Sequence, residues 1–208
     1  MSKKLSSSIK QHLVDSTAIL AESNPLFVAL ELGVANLSVG ASINARLLAT
    51  ATFYGGLGYL FGKGRDISKN HFNITDETSE KIQHLHDSAY GAGFSALLSP
   101  PMYALSQKLA GDELDLTKIA LATGSAVTLG IINGNPSAYA IDLFRDLSGV
   151  KDCNRKLYPK FLKNRTPKVK KAIFVALTAA SIGAMAMQYA CSNNNQSTNP
   201  TLEQITQE

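Results

Sequence analysis

Two glutamates lie inside the first apolar stretch of this sequence, where a charged group is costly to bury. Glu22 and Glu31 both fall within residues 16–38. An ionised carboxylate in hydrocarbon must be protonated, paired with a cation or in contact with water. Arg46 follows across a short predicted loop, so a helical hairpin can join it to Glu31 as an ion pair. That pair either serves proton transfer or only holds the hairpin shut, and Glu22 either lines a wet cavity or extends toward the membrane surface.

Proline, glycine and asparagine interrupt two later apolar stretches. Residues 99–103 read Ser-Pro-Pro-Met-Tyr, and residues 133–139 read Asn-Gly-Asn-Pro-Ser-Ala-Tyr. Proline removes a backbone N–H and frees a carbonyl, so we expect discontinuous helices at both places. Exposed N–H groups can donate hydrogen bonds to a carboxylate, and freed carbonyls can accept them from an ammonium, which together suit a zwitterionic amino acid. Asn133 and Pro100 are therefore candidate solute-site residues, with an ordinary proline kink as the alternative.

Five apolar stretches must position these residues, at about 16–38, 45–62, 88–107, 119–141 and 172–190. A helix rises about 1.5 Å per residue, so each stretch is long enough to cross a hydrocarbon core of about 30 Å. Charged residues make up only 17% of the chain. We therefore predict an all-α integral membrane protein, with a soluble helical bundle as the alternative.

The distribution of cations gives an independent indication of membrane topology. With the N-terminus inside, 17 of the 20 Lys and Arg fall in the three inside segments, residues 1–15, 63–83 and 145–171. Lys and Arg favour the cytoplasmic side of a membrane protein. The net charge of +4 therefore indicates topology, and we expect no nucleic-acid partner.

The sequence also contains two similar halves. Residues 12–16 read HLVDS and residues 84–88 read HLHDS, while GYLFGKGRDIS at 58–68 is matched by AYAIDLFRDLS at 138–148. Matching starts and matching ends predict a tandem repeat of two transmembrane hairpins. Because each hairpin has two spans, both copies have the same orientation and are related by an axis along the membrane normal.

The proposed halves cover residues of about 12–68 and 84–148. Each has a Gly-x-x-x-Gly in its second span, Gly58 with Gly62 and Gly130 with Gly134, a spacing that allows helices to pack closely in lipid. Two similar hairpins that face each other leave a seam, and we expect a small solute to pass there.

Charged residues mark the ends of the predicted spans. Asp15 and Asp87 begin spans one and three, where an aspartate can cap helix N–H groups and face the positive end of the helix dipole. Arg65, Asp66 and Arg145 lie where spans two and four end. We expect these five residues to define helix ends rather than to contact a solute.

Over residues 12–148 the chain resembles the small bacterial L-alanine exporters of the inner membrane. The resemblance runs through VDSTA, ALELG, NARLLA, FGKGRD, SPPMY and YAIDLFRD. The positions that match the family pattern are Asp15, Glu31, Arg46, Phe61, Gly62, Arg65, Asp66, Ser99, Pro100, Tyr139, Asp142 and Arg145. The resemblance implies a four-span core that exports L-alanine. This chain departs from the pattern in its second proline, its lack of Trp and its C-terminal extension.

We accordingly expect four regions. Residues 1–148 form the four-helix transporter core, 149–171 a basic cytoplasmic segment, 172–190 a fifth transmembrane helix and 191–208 a polar disordered tail. The N-terminus is then cytoplasmic in a multi-pass inner-membrane protein, and the C-terminus lies outside if the fifth helix spans.

The expected function is export of L-alanine or a similar small neutral amino acid, driven by the proton gradient. The alternative is a non-transporting membrane scaffold or assembly protein that works through the fifth span and the basic segment. No nucleophile–base pair, metal-ligand spacing or phosphate loop occurs in the sequence, so we expect neither an enzyme nor a cofactor. The expected partners are an amino-acid substrate, the lipid bilayer and, because two hairpins form a thin wall, a second copy of the chain.

Overall fold

Helices account for all regular secondary structure in the computed structural model, which describes residues 2–75, 78–153 and 158–198. They are α1 (Ser2–Gly33), α2 (Val39–Thr52), α3 (Gly58–His71), α4 (Glu80–Ala110), α5 (Leu116–Leu147), α6 (Lys160–Lys163) and α7 (Pro167–Thr198). A π-helical turn, Phe53–Leu57, joins α2 to α3. The predicted all-α class is confirmed for these residues.

Three helices are long and apolar enough to cross a membrane. They are Ser8–Gly33, Leu116–Gly134 and Pro167–Asn193, which overlap the first, fourth and fifth predicted spans. The second and third predicted spans, 45–62 and 88–107, are helical but are not among the three. The protein is thus compatible with a membrane location, and the count of five spans stays a prediction.

The prediction of discontinuous helices at the proline segments is wrong. α4 runs without a break through Pro100 and Pro101, and α5 runs through Pro136. Proline has the φ of a helix, so a helix held by its neighbours can continue across the missing N–H. The irregular span is instead the second, where Gly56 has a φ of 132°, a conformation that favours glycine.

The helices pair across the two halves of the sequence. α1 turns back into α2 and α3, and α4 turns back into α5, as two hairpins. α5 packs against α1 as well as against its own partner α4, and α4 packs against α2. The first helix of each hairpin therefore contacts the second part of the other hairpin.

Small residues bring α4 and α5 into close contact. A Cβ on Gly134 would lie 2.5 Å from the Cα of Ser88, and one on Gly130 would lie 2.8 Å from the backbone nitrogen of Ala92. Neither position has room for a side chain. The Gly-x-x-x-Gly of the second half thus lies where the helix backbones meet, as this motif predicts.

The C-terminal extension packs against the end of α5 and along α1. Cys153, Tyr158 and Leu162 form a small buried cluster that contacts Leu143 and Ile173. Beyond this cluster α7 lies mainly against α1. α7 continues to Thr198, so the start of the predicted disordered tail is helical, and residues 199–208 lie outside the described part of the chain.

We predict that Gly134→Ala destabilises the bundle by about 2 kcal/mol, because the added methyl group overpacks the α4–α5 contact. Gly124→Ala is the matched control: Gly124 lies on the same helix and a Cβ there would meet nothing within 4 Å. Since alanine is the better helix former, Gly124→Ala should be neutral or slightly stabilising. Unfolding midpoints in detergent measure the difference, and equal midpoints would contradict the close packing.

Candidate functional site

A cavity of about 330 Å³ lies between the two hairpins. Its α1 wall runs from Ile19 to Phe27, and α2, α4 and α5 provide most of the remainder. Most lining residues are apolar, and the polar ones are Ser23, Asn24, Arg46, Thr52, Arg65, Asp87, Ser95, Ser99, Asn133 and Ser137. The cavity lies at the seam between hairpins, where the sequence predicts a solute path.

Glu31 is the centre of a buried network at the end of α1. The residue is only 1% exposed. Arg46 Nη2 donates to Glu31 Oε1 at 2.5 Å, and Ser42 Oγ donates to Oε2 at 2.6 Å. The Tyr103 hydroxyl of α4 also hydrogen-bonds to this carboxyl group. The predicted Glu31–Arg46 ion pair is confirmed, and it joins α1, α2 and α4.

Arg46 connects this network to the cavity that it lines. Its Nη1 donates to Asn24 Oδ1 at 3.3 Å, and its Cζ lies 4.6 Å from the centre of the Phe27 ring, a cation–π contact. Its buried Nε has no hydrogen-bond partner among the described residues. A guanidinium has five N–H donors, so Arg46 has donor capacity that Glu31 and Asn24 do not use.

Glu22 contacts α5 rather than extending toward a membrane surface. The Asn133 side-chain amide donates to Glu22 Oε1, and Ser137 Oγ donates to Oε2 at 2.9 Å. Asn133 and Ser137 both line the cavity, whereas Glu22 is half-buried and is not part of the lining. Glu22 and Asn133, which are far apart in the sequence, thus form one polar contact on the cavity wall.

Two bidentate ion pairs cross between the halves. Arg65 Nε and Nη2 donate to the two carboxylate oxygens of Asp87, each at 2.9 Å. Arg145 donates from the same two atoms to Asp15, at 2.6 and 2.5 Å. Gly62 lies beside the second pair, where a Cβ would be 3.6 Å from Asp15 Oδ2. Each pair joins the first helix of one half to the last helical segment of the other.

These pairs correct the prediction that Asp15 and Asp87 cap helices. Both residues lie well inside their helices, α1 and α4, where the backbone N–H groups are already bonded along the helix. The sequence-based helix starts were placed too late, because the polar residues before each aspartate also form helix. Both carboxylates are buried, and charged partners on other helices satisfy them.

The remaining predicted residues lie outside the cavity lining. Asp66 is exposed on α3, and Tyr139 and Asp142 are half-buried on α5. Pro100 is also absent from the lining, although its neighbour Pro101 contributes to it. Of the five residues predicted for the solute and proton path, Arg46 and Asn133 line the cavity and the two glutamates bond to cavity-lining residues.

Sequence reasoning missed three hydroxyl groups around Glu31. Ser42 lies one helical turn before Arg46, so helical spacing places both on one face of α2 and could have indicated it. Tyr103 belongs to the proline segment, in which the sequence points to Pro100 instead. Tyr189 of α7 lies 3.2 Å from Ser42, hydroxyl to hydroxyl, and no local pattern indicates that contact.

Asp146 attaches the C-terminal extension to the core. Lys170 Nζ lies 2.8 Å from Asp146 Oδ2, and the Tyr158 hydroxyl donates to the same oxygen. Burial raises the pKa of Asp146, but the bonds from Lys170 and Tyr158 outweigh it and hold that pKa below its ordinary value. A lowered pKa means that this attachment is fully present near neutral pH and is lost as pH falls through the lowered value.

No protein-family model, curated protein or solved structure matches this chain. Within the described residues, no group of three or more His, Cys, Asp and Glu side chains is placed to hold a metal ion.

We predict that Asp15→Asn costs about 3 kcal/mol of stability, because it removes the carboxylate that is bonded to the buried Arg145 guanidinium. Asp15→Asn combined with Arg145→Met should recover much of that loss, since no unpaired charge then stays buried. Glu113→Gln, at an exposed glutamate, is the control and should change stability little. Unfolding in detergent for the full double-mutant cycle checks this, and additive losses would contradict a direct pairing.

Proposed function

We propose that this protein is a membrane transporter that exports L-alanine or a similar small neutral amino acid from the cytoplasm. The observation that carries the proposal is the cavity between the two hairpins, with a charged cluster on either side of it. Its α1 wall, Ile19 to Phe27, lies between Asp15 and Glu31 along the helix. At about 1.5 Å per residue those two carboxylates are about 24 Å apart along α1. A central site with separate closures at its two ends suits alternating access.

The lining of the cavity supports a small amphipathic solute. A volume of about 330 Å³ is near the lower end of known ligand pockets, which excludes large substrates. Arg46 offers N–H donors for a carboxylate, and the side-chain oxygens of Asn133 and Ser137 are acceptors for an ammonium group. The apolar remainder of the wall suits a short aliphatic side chain.

In the proposed topology the two halves are duplicated hairpins, α7 is a fifth span, and the N-terminus is cytoplasmic. The cation distribution supports this orientation. The two ion pairs between the halves, Asp15–Arg145 and Asp87–Arg65, then lie toward the cytoplasm, and the Glu31 network lies toward the outside. Both ion pairs must separate if the hairpins move apart at the inner end. They therefore close the cavity on the cytoplasmic side.

Glu31 is the proposed proton carrier. In the closed state its negative charge is balanced by Arg46, with which it shares a short hydrogen bond. When a proton from outside neutralises Glu31, the attraction to Arg46 weakens, α1 and α2 can separate, and the solute leaves to the outside.

We predict that a proton gradient accelerates alanine efflux from preloaded vesicles containing this protein, and that Glu31→Gln removes the acceleration. Glutamine retains the shape of the side chain but cannot titrate. Glu113→Gln is the control, because Glu113 is exposed and lies outside the cavity lining. Labelled alanine remaining in the vesicles gives the rate.

Gradient-independent efflux, or full acceleration in Glu31→Gln, would exclude the coupling mechanism.

A growth test gives a second measurement, in cells that lack alanine export and are fed an alanine dipeptide. The protein should relieve alanine toxicity. Failure to do so despite insertion in the membrane would exclude alanine as the substrate.

A further inference from the structure

The fifth helix contributes one hydroxyl group to the Glu31 network. Tyr189 lies near the end of α7 in the described chain, and its hydroxyl is 3.2 Å from Ser42 Oγ. Between its start and this contact, α7 exposes large apolar side chains, including Val175, Ile182 and Met187. Tyr189 therefore reaches the network from a helix whose other face is open to its surroundings.

Hydrogen-bond directions follow from the number of donors. Ser42 has one hydroxyl hydrogen, which it donates to Glu31 at 2.6 Å. Its oxygen can then only accept from Tyr189, so the bonds run from Tyr189 to Ser42 to Glu31. A chain of hydroxyl groups that ends on a carboxylate is strengthened cooperatively, because each bond polarises the next.

Of the three groups in this hydrogen-bonded chain, only Tyr189 is partly exposed. Glu31 is 1% exposed and Ser42 is 0% exposed, whereas Tyr189 is half-buried. The other two groups bonded to Glu31 do not lead to the exterior surface: Tyr103 is 1% exposed, and Arg46 leads to Asn24 and the cavity. Tyr189 is thus the point at which the described network approaches the exterior.

We propose that Tyr189 and Ser42 form a proton relay that connects Glu31 to the exterior. This rests on the proposed transport function and assigns the fifth helix a part in it. A proton from water binds the Tyr189 oxygen as the Tyr189 proton moves to Ser42 and the Ser42 proton moves to Glu31 Oε2. One proton is added to the carboxylate, neither hydroxyl is left ionised, and rotation of both hydroxyls restores the starting arrangement.

The charged and titratable groups that face Glu31 are consistent with this route. Arg46 approaches from α2, Tyr103 from α4 and Tyr189 from α7. A guanidinium does not release its proton at accessible pH, so Arg46 cannot supply one. Tyr103 can exchange a hydrogen bond with Glu31, but its burial leaves it without water to replace a transferred proton.

The test compares two tyrosine-to-phenylalanine substitutions in full-length protein in vesicles. Tyr189→Phe removes the relay, whereas Tyr54→Phe is the matched control, because the Tyr54 hydroxyl contacts that of Thr17 at 2.8 Å and does not contact Glu31. Proton-driven efflux is measured over a range of external pH. Binding of labelled alanine to the purified protein is measured in parallel, because binding precedes the protonation of Glu31 and does not need the relay.

We expect Tyr189→Phe and Ser42→Ala to slow proton-driven efflux on the order of 100-fold, within the contribution of a positioned proton donor. Alanine binding should be retained, and Tyr54→Phe should retain both binding and efflux. Wild-type rates in Tyr189→Phe at every pH would overturn the relay alone. Loss of alanine binding together with efflux would also overturn it, because that is the effect of a structural contact. Absence of efflux from the wild-type protein would overturn the proposed function and the relay together.

Discussion

The cost of burying charge is the constraint on which this arrangement depends. Asp15, Glu31 and Asp87 are buried among apolar helices, and each meets an arginine. An unpaired buried charge would cost several kilocalories per mole, so each pair restricts which helices can be neighbours. Asp15–Arg145 requires α1 beside α5, and Asp87–Arg65 requires α4 beside α3. The seam that contains the cavity follows from these requirements.

The two halves have different residue types at the same sequence separation from their buried aspartates. Glu22 lies seven residues after Asp15, and Phe94 lies seven residues after Asp87. Glu22 bonds to Asn133, while Phe94 contacts Phe53 with ring centroids 6.4 Å apart. Asn133 and Phe53 are each twelve residues before the arginine of their own half. The cavity is therefore polar beside Asn133 and aromatic beside Phe53 and Phe94.

The C-terminal extension is attached to the core at two separated points. Asp146 holds the start of α7 through Lys170, and Ser42 contacts Tyr189 near the other end. Aromatic packing of Phe174 on Phe144, with centroids 4.8 Å apart, reinforces the first point. Between these two points α7 packs against α1, while its other face is exposed.

Local features of the sequence determined the helical class, the apolar stretches and the Glu31–Arg46 pair, because a short loop leaves two hairpin helices few arrangements. They also marked Asp15, Asp87, Arg65 and Arg145 as repeated residues, but not as partners. Asp15 and Arg145 are 130 positions apart, and only the packing of α1 on α5 brings them together. Packing alone also decided that the helices continue through their prolines and that Tyr189 reaches Ser42. Such contacts depend on the free energy of the assembled bundle, in which distant charges and hydroxyl groups find partners that no local spacing specifies.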